Sequence, residues 1–212
     1  MITIEKFVFN SFMVNTYLLY DETGECIIID PACSDASEEK QISEFIDVNK
    51  LKLTRNINTH CHIDHVLGHD FIATRYKVYP EYHEAGNGFF FSMKEVAQMY
   101  GYTIDRIPAV KGYLQDGDLI KFGNSVLKVL YTPGHADGSI CLYQQDQRFV
   151  ITGDVLFRES IGRTDLPTGN YDVLMKSIKE KLYTLPDDVV VYPGHGPETT
   201  IGHEKINNPF IQ

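Results

Sequence analysis

The sequence predicts a single α+β domain, on three observations. Segments of alternating apolar and polar residues recur along the chain, joined by turns bearing Gly, Asn or Asp, as strands and hairpins are. Between them, stretches beginning at Ser37 and Asn170 carry apolar residues at three- and four-residue spacing, the period of a helix with one buried face. No repeat, low-complexity tract or linker divides residues 1–212, a length one hydrophobic core can serve.

Residues 2–9 alternate and predict the first strand. Residues 14–20 and 25–29 read as a hairpin around Asp21-Glu22-Thr23-Gly24, with Asp30-Pro31 closing its second strand. Ser37 is placed to cap a helix with Glu38 and Glu39 in its first turn and Ile42, Phe45 and Ile46 inside. Leu51 to Ile57 reads as a half-buried strand and Val66 to Ile72 as a helix. Residues 78–118 are the least regular. There Ser92-Met93-Lys94-Glu95 has the spacing of a capping box and opens a short helix to Tyr100. Phe89, Phe90, Phe91, Met93, Met99, Tyr100 and Tyr102 crowd this part, as a satellite hydrophobic cluster, an apolar wall or lid, or a dimer surface. Leu119–Phe122 and Ser125–Tyr131 flank a Gly123-Asn124 turn, and residues 139–143 and 148–152 form another hairpin. Asn170 is placed to cap a helix with Tyr171, Leu174, Ile178 and Leu182 on its buried stripe, and Asp188 to Tyr192 reads as the last strand.

Composition excludes several function classes. A net charge of -10 without any Lys/Arg run argues against nucleic acid as a partner, since phosphate binding needs a basic surface. No apolar stretch approaches the ~20 residues of a transmembrane helix. The start, Met1-Ile2-Thr3-Ile4-Glu5, lacks the basic and apolar regions of a signal peptide. Cys26, Cys33, Cys61 and Cys141 form no CxxC pair and are expected as reduced thiols of a cytoplasmic protein. Nothing in the composition sets an oligomeric state.

The densest chemistry lies in Thr59-His60-Cys61-His62-Ile63-Asp64-His65, between a predicted strand and a predicted helix. Neutral imidazole and carboxylate are ligands for zinc and similar divalent ions. Three histidines and an aspartate exceed what one half-open site takes from one loop. The spacing suggests two adjacent metals, with His60 and His62 on one and Asp64 and His65 on the other. Three further predicted strands end in Gly-punctuated loops that bear a ligand type: His135 in Gly134-His135, Asp154 in Gly153-Asp154, and His195 in Gly194-His195. Singly, each is an ordinary cap, core or turn residue. Together they point to one site, because strand ends on one side of a sheet converge.

These motifs, with Asp30 in Ile28-Ile29-Asp30-Pro31, resemble the successive motifs of the metallo-β-lactamase superfamily over nearly the whole chain. The resemblance implies a four-layer αββα sandwich with a dinuclear site at one edge of the sheets. It implies His60, His62 and His135 on the first metal, Asp64, His65 and His195 on the second, and Asp154 bridging. Within the superfamily, Ser160 to Leu166, Pro193 to Thr199 and Asn208-Pro209-Phe210 resemble the glyoxalase II group, the hydroxyacylglutathione hydrolases, in a short form. The C-terminal helical domain whose basic residues hold glutathione in that group has no counterpart up to Gln212, so the thiol part of the substrate does not carry over.

The implied activity is hydrolysis of a small-molecule thioester by a hydroxide between two divalent ions. Zinc is the first expectation, with iron or manganese also accepted by such ligands. Asp64 and Asp154 would orient that hydroxide. Asp30 and Asp165 are candidates to accept ring N–H groups of the ligand histidines, Asp165 alternatively pairing with Arg163. Cys61 is expected to pack inward, His69 to lie on a helix surface or behind the ligands, and His83 and His203 to be structural or exposed. The chain also resembles the mono-iron persulfide dioxygenases at Thr59–His65 and Gly162–Asp165. In that alternative His62, His135 and Asp154 would form a facial triad. Gly194-His195-Gly196-Pro197 fits the hydrolase branch better. A non-catalytic metal-binding protein is the third reading, and the full set of ligand types gives it no support.

Overall fold

The computed structural model describes residues 1–211. Two six-stranded sheets form its centre. The first runs in chain order through β1 (Thr3–Phe9), β2 (Val14–Tyr20), β3 (Glu25–Ile29), β4 (Lys52–Ile57), β5 (Pro80–Tyr82) and β6 (Gly112–Tyr113). Its β1–β2 and β2–β3 pairs are antiparallel, and the pairs from β3 to β6 are parallel. The second sheet contains β7 (Leu119–Phe122), β8 (Ser125–Tyr131), β9 (Ile140–Gln144) and β10 (Phe149–Gly153), with a ribbon of β11 (Leu156–Phe157) and β12 (Ser160–Ile161) beside it. It is completed by β13 (Val190–Pro193), parallel to β10, and β14 (Thr199–Thr200).

The period-two alternation explains the layering. Tyr17, Leu19, Ile27 and Ile29 point toward the second sheet and meet Ile120, Leu127, Val129, Leu142 and Ile151. Their neighbours Leu18, Cys26 and Ile28 face the other way, onto Ile42 and Ile46 of α1 (Ala36–Val48) and Ile72 of α3 (His69–Tyr76). On the far side, Leu130, Cys141 and Val150 pack against Leu174 of α6 (Tyr171–Ser177) and Ile201 of α7 (Ile201–Asn207). Helix, sheet, sheet, helix is the αββα order, and the fold is of the α+β class. Each fully buried Leu, Ile or Val in these layers contributes about 1.5–3 kcal/mol, so the sandwich is a rigid base for the loops at its edge.

Local signals differ from the expectations in several places. Asp35, not Ser37, caps α1, its carboxylate accepting from the Ser37 and Glu38 amides. The Val66–Ile72 helix is two pieces, α2 (Ile63–Val66) and α3, separated at Leu67-Gly68. The capping box at Ser92 does not form. The Ser92 hydroxyl instead bonds back to the Gly88 and Phe89 carbonyls of α4 (Asn87–Phe91), ahead of α5 (Met93–Met99). Helix α6 continues as a wide π turn over Ile178–Leu182, and its first residue Tyr171 lies exposed rather than on the buried stripe, its hydroxyl donating to the Phe210 carbonyl. No helix among the described residues is long and apolar enough to cross a membrane.

Candidate metal centre

Strands β4, β8, β10 and β13 all deliver their C-terminal ends to one edge of the sandwich. Backbone hydrogen bonds join the sheets there, Ile140 N to Thr59 O at 2.8 Å and Asn15 N to Gly194 O at 2.7 Å, and the Asn15 side-chain amide adds a bond to the Pro193 carbonyl at 2.9 Å. After β4 the chain passes through His60 and His62 and enters α2, whose first turn carries Asp64 and His65. His135 follows β8, Asp154 follows β10 and His195 follows β13. Gly194 has no room for a side chain, since a Cβ there would overlap Asp154 Oδ1 and crowd the His65 ring.

The seven residues form two groups of donors. His60, His62 and His135 bring ligand atoms within 4.8 Å of one another, and so do Asp64, His65 and His195. Asp154 sits between the groups, with Oδ2 3.6 Å from His135 Nε2 and 3.5 Å from His195 Nε2, and Oδ1 3.4 Å from His65 Nε2. Asp64 Oδ2 lies 3.3 Å from His195 Nε2.

Hydrogen bonds behind the rings fix their tautomers. His135 Nδ1 donates to the Arg163 carbonyl at 2.8 Å and His195 Nδ1 to the Phe12 carbonyl at 3.0 Å. Carbonyls only accept, so the Nδ1 hydrogen is fixed and each ring, when neutral, turns its Nε2 lone pair inward. His65 Nδ1 donates to Asp30 Oδ2 at 3.0 Å. The Thr59 hydroxyl gives its single hydrogen to Asp30 Oδ2 at 2.6 Å and therefore accepts from His60 Nδ1 at 3.2 Å. Four imidazoles thus present a free Nε2 to the centre. The Nε2 atoms of His60, His62 and His135 are buried without a protein hydrogen-bond partner, and those of His65 and His195 face each other at 3.3 Å. Two neutral rings would set lone pair against lone pair at that distance, so a proton or a metal ion belongs between them. The donor set fits divalent ions.

Electrostatics divides the site in the same way. Burial holds His60 and His135 below the ordinary imidazole range and His62 down to about 4, so these three are neutral. Burial also opposes charge on His65 and His195. The Asp64 and Asp154 carboxylates outweigh it, raising His65 and lifting His195 to about 9. Burial opposes ionisation of Asp64 and Asp154 as well, yet the adjacent imidazoles, His65 first, hold both carboxyls below their usual range.

Asp30 stands behind the centre. It is buried, in a left-handed conformation (φ 50°), and accepts from Thr59 N at 2.7 Å, Asn58 Nδ2 at 3.3 Å, Thr59 Oγ1 and His65 Nδ1. Asp165 does not play that part. It is exposed and paired with Arg163 at 2.7 Å, and the acceptor for His135 is the Arg163 backbone. His69 lies neither on a helix surface nor against a ligand: it is buried, bonded through Nδ1 to Asn56 at 3.0 Å and packed on Phe90. Cys61 packs inward with Ile63, Tyr82 and Phe90, where burial pushes its thiol up, away from the reactive thiolate. His83 caps the turn at Glu84–Gly86, and His203 pairs with Glu159 at 2.9 Å. The aromatic region divides its residues: Phe90 is core, whereas Phe89, Met99 and Tyr100, with the largely buried Met93, line a cavity that opens onto the centre.

Comparison with known proteins agrees with this architecture. Residues 10–195 match the family model described as the metallo-beta-lactamase superfamily. The chain is 35% identical over 210 residues to the hydroxyacylglutathione hydrolase GloC of Haemophilus influenzae, covering 98% of this chain and 97% of that protein. Among solved structures, the BLEG-1 B3 metallo-beta-lactamase superposes with a TM-score of 0.88 at 29% identity, over 99% of this chain and 100% of that one. TTHA1623 in a di-iron-bound form gives 0.85 at 31% identity, over 97% and 99%. The chain is a metallo-hydrolase of the metallo-beta-lactamase superfamily.

Proposed function

We propose that this chain hydrolyses a small-molecule thioester at a two-metal centre. The observation that carries the reading is the pair of three-donor groups on either side of Asp154, with Nε2 lone pairs fixed in advance by acceptors behind the rings. His60, His62 and His135 would hold one divalent ion, Asp64, His65 and His195 the other, and Asp154 would touch both. Zinc is the first candidate, and the same donors take iron or manganese. Such ions supply a water made acidic near neutral pH and a Lewis acid for the scissile carbonyl.

The protein's own residues do the rest. Asp64 and Asp154 face the cavity as carboxylates and orient the attacking water by accepting its hydrogens. Asp30, Thr59 and the Phe12 and Arg163 carbonyls keep the imidazoles from turning. Both cavity carboxyls are held ionised, so neither is a ready proton donor. A thiolate, whose conjugate thiol titrates near ~8.5, leaves without one, which favours a thioester over an ordinary ester or amide. The relative named a hydroxyacylglutathione hydrolase supports this class. The second donor group, Asp64 with His65 and His195, favours a binuclear hydrolase over a mono-iron dioxygenase. Four buried, unpaired cysteines suit a cytoplasmic location.

Asp154→Ala and His62→Ala are the test. Each is expected to lose bound metal and thioester turnover together. An Asp154→Ala protein with undiminished hydrolysis would overturn the reading.

A further inference from the structure

From the ligand residues a cavity of about 460 Å³ opens outward, and beyond them its walls are largely hydrocarbon. Phe12 of the β1–β2 turn, Phe89, Met93, Val96, Met99 and Tyr100 form one side. The wall is fixed to the sandwich: Phe12 meets Tyr100 edge-on at 5.4 Å, and Ser11 Oγ bonds the Tyr102 hydroxyl at 2.6 Å. It is also continuous with the centre, because Phe89 packs edge-on against the His62 ring at 4.9 Å. At the mouth Met99 is 81% exposed and Tyr100 56%, apolar surface that folding alone leaves uncovered.

Charge points the same way. Besides the ligand residues Asp64, Asp154 and His195, the charged residue lining the cavity is Arg163. Its guanidinium is occupied by Asp165, with Nε and Nη2 donating at 2.8 and 2.7 Å. An acidic substituent laid on the wall of α4 and α5 would lose its hydration without meeting a cation there, since the lining is Phe89, Ser92, Met93, Val96, Met99 and Tyr100. A hydrocarbon arm would lose only unfavourable contact with water.

We propose that the cavity selects thioesters bearing an alkyl or aryl arm, which lies on the wall of α4 and α5 and brings the scissile carbonyl to Asp64 and Asp154. The inference rests on the hydrolase reading of the same site. In the reaction water adds to the carbonyl and the C–S bond breaks, giving a carboxylic acid and a free thiol with no change of oxidation state.

The experiment uses the metal-replete protein and two series read by thiol release: S-acyl cysteamines from acetyl to octanoyl, and acetyl thioesters of ethyl to octyl thiols. In one series kcat/KM is expected to rise about fourfold per methylene until the cavity is filled, and the series that rises identifies the limb. Val96→Asp is expected to bring the octanoyl-to-acetyl or octyl-to-ethyl ratio toward one, and Val96→Leu to preserve it. Flat profiles in both series, or preference for a glutathione thioester over every alkyl substrate, would overturn the proposal. Quenching of tyrosine fluorescence by butanol to decanol gives a readout independent of turnover. Binding that tightens with chain length in a protein without turnover would remove the hydrolase reading and leave the apolar-arm assignment. Turnover indifferent to chain length would do the reverse.

Discussion

Asp30→Asn should disable metal binding from behind the ligands while leaving the fold standing. Asp30 Oδ1 accepts from Thr59 N and Asn58 Nδ2, both pure donors, so the amide oxygen of Asn must take that place and its NH2 must take the place of Oδ2. The NH2 then faces His65 Nδ1 and Thr59 Oγ1, where two donors pointed before. His65 must accept at Nδ1 and carry its hydrogen on Nε2. The Thr59 hydroxyl must accept from Asn and give its hydrogen to His60 Nδ1, which moves the His60 hydrogen to Nε2 as well. One ligand in each donor group is then blocked. Loss of such a partner typically costs 10–100-fold in metal affinity, about 1.4–2.7 kcal/mol per site. Asn tolerates the left-handed backbone at φ 50°, so the melting transition should remain cooperative. Asp30→Ala would in addition leave Thr59 N–H buried without a partner, at about 1–3 kcal/mol. The assay is competition for zinc against a chromophoric chelator, with circular dichroism melts alongside. An Asp30→Asn protein that binds two zinc ions with wild-type affinity would refute the tautomer argument.

Three other outcomes follow from the same geometry. Gly194→Ala places a methyl group against Asp154 Oδ1 and the His65 ring, so it should lower metal stoichiometry in elemental analysis more than it lowers the melting temperature; an unchanged metal content would contradict it. Zinc binding at pH 7.5 should release protons, because His65 and His195 sit above the ordinary imidazole range; calorimetric enthalpies that do not vary with the buffer's ionisation enthalpy would contradict it. Far from the centre, Asp21 joins the β2–β3 turn to the β7–β8 turn. Burial opposes its ionisation, but the Thr23, Ser125 and Asn124 donors hold its carboxyl down at about 2. Its contribution, at most about 2 kcal/mol, is complete above the ordinary Asp value near ~3.9 and fades as pH falls from there toward the folded value. Acid melts of Asp21→Asn should therefore converge with wild type in that window, and parallel curves would count against the linkage.

Two strands were legible for different reasons: residues 125–131 alternate, as a strand with one exposed face does, and residues 25–29 are a short apolar run bounded by turns, as a strand buried on both faces is; both begin and end in the structure where those patterns do. The metal-ligand types were legible because four of the seven crowd into His60–His65 and the other three, His135, Asp154 and His195, each sit beside a glycine after a strand. Short elements were not. Strands β5, β6 and β14 have three residues or two, too few to show a period, and α7 was overlooked. His69 was misplaced because a polar residue in an interrupted helix gives no sign that Asn56 waits behind it. The supports of His135 and His195 are backbone carbonyls of Arg163 and Phe12, and a carbonyl belongs to every residue type. Asp165 was a plausible acceptor by type, but its neighbour Arg163 is two residues away and captures it. The Thr59 hydroxyl relay likewise leaves no trace in spacing, since it depends on the fold bringing Asp30 beneath it.

Metal content tests the central claim most directly. The protein, purified without added metal and then dialysed against limited zinc, is measured for bound elements per chain. Saturation is expected at about two equivalents, falling toward none in Asp154→Ala. Saturation at one equivalent, with Asp64, His65 and His195 replaceable without loss of metal, would contradict it.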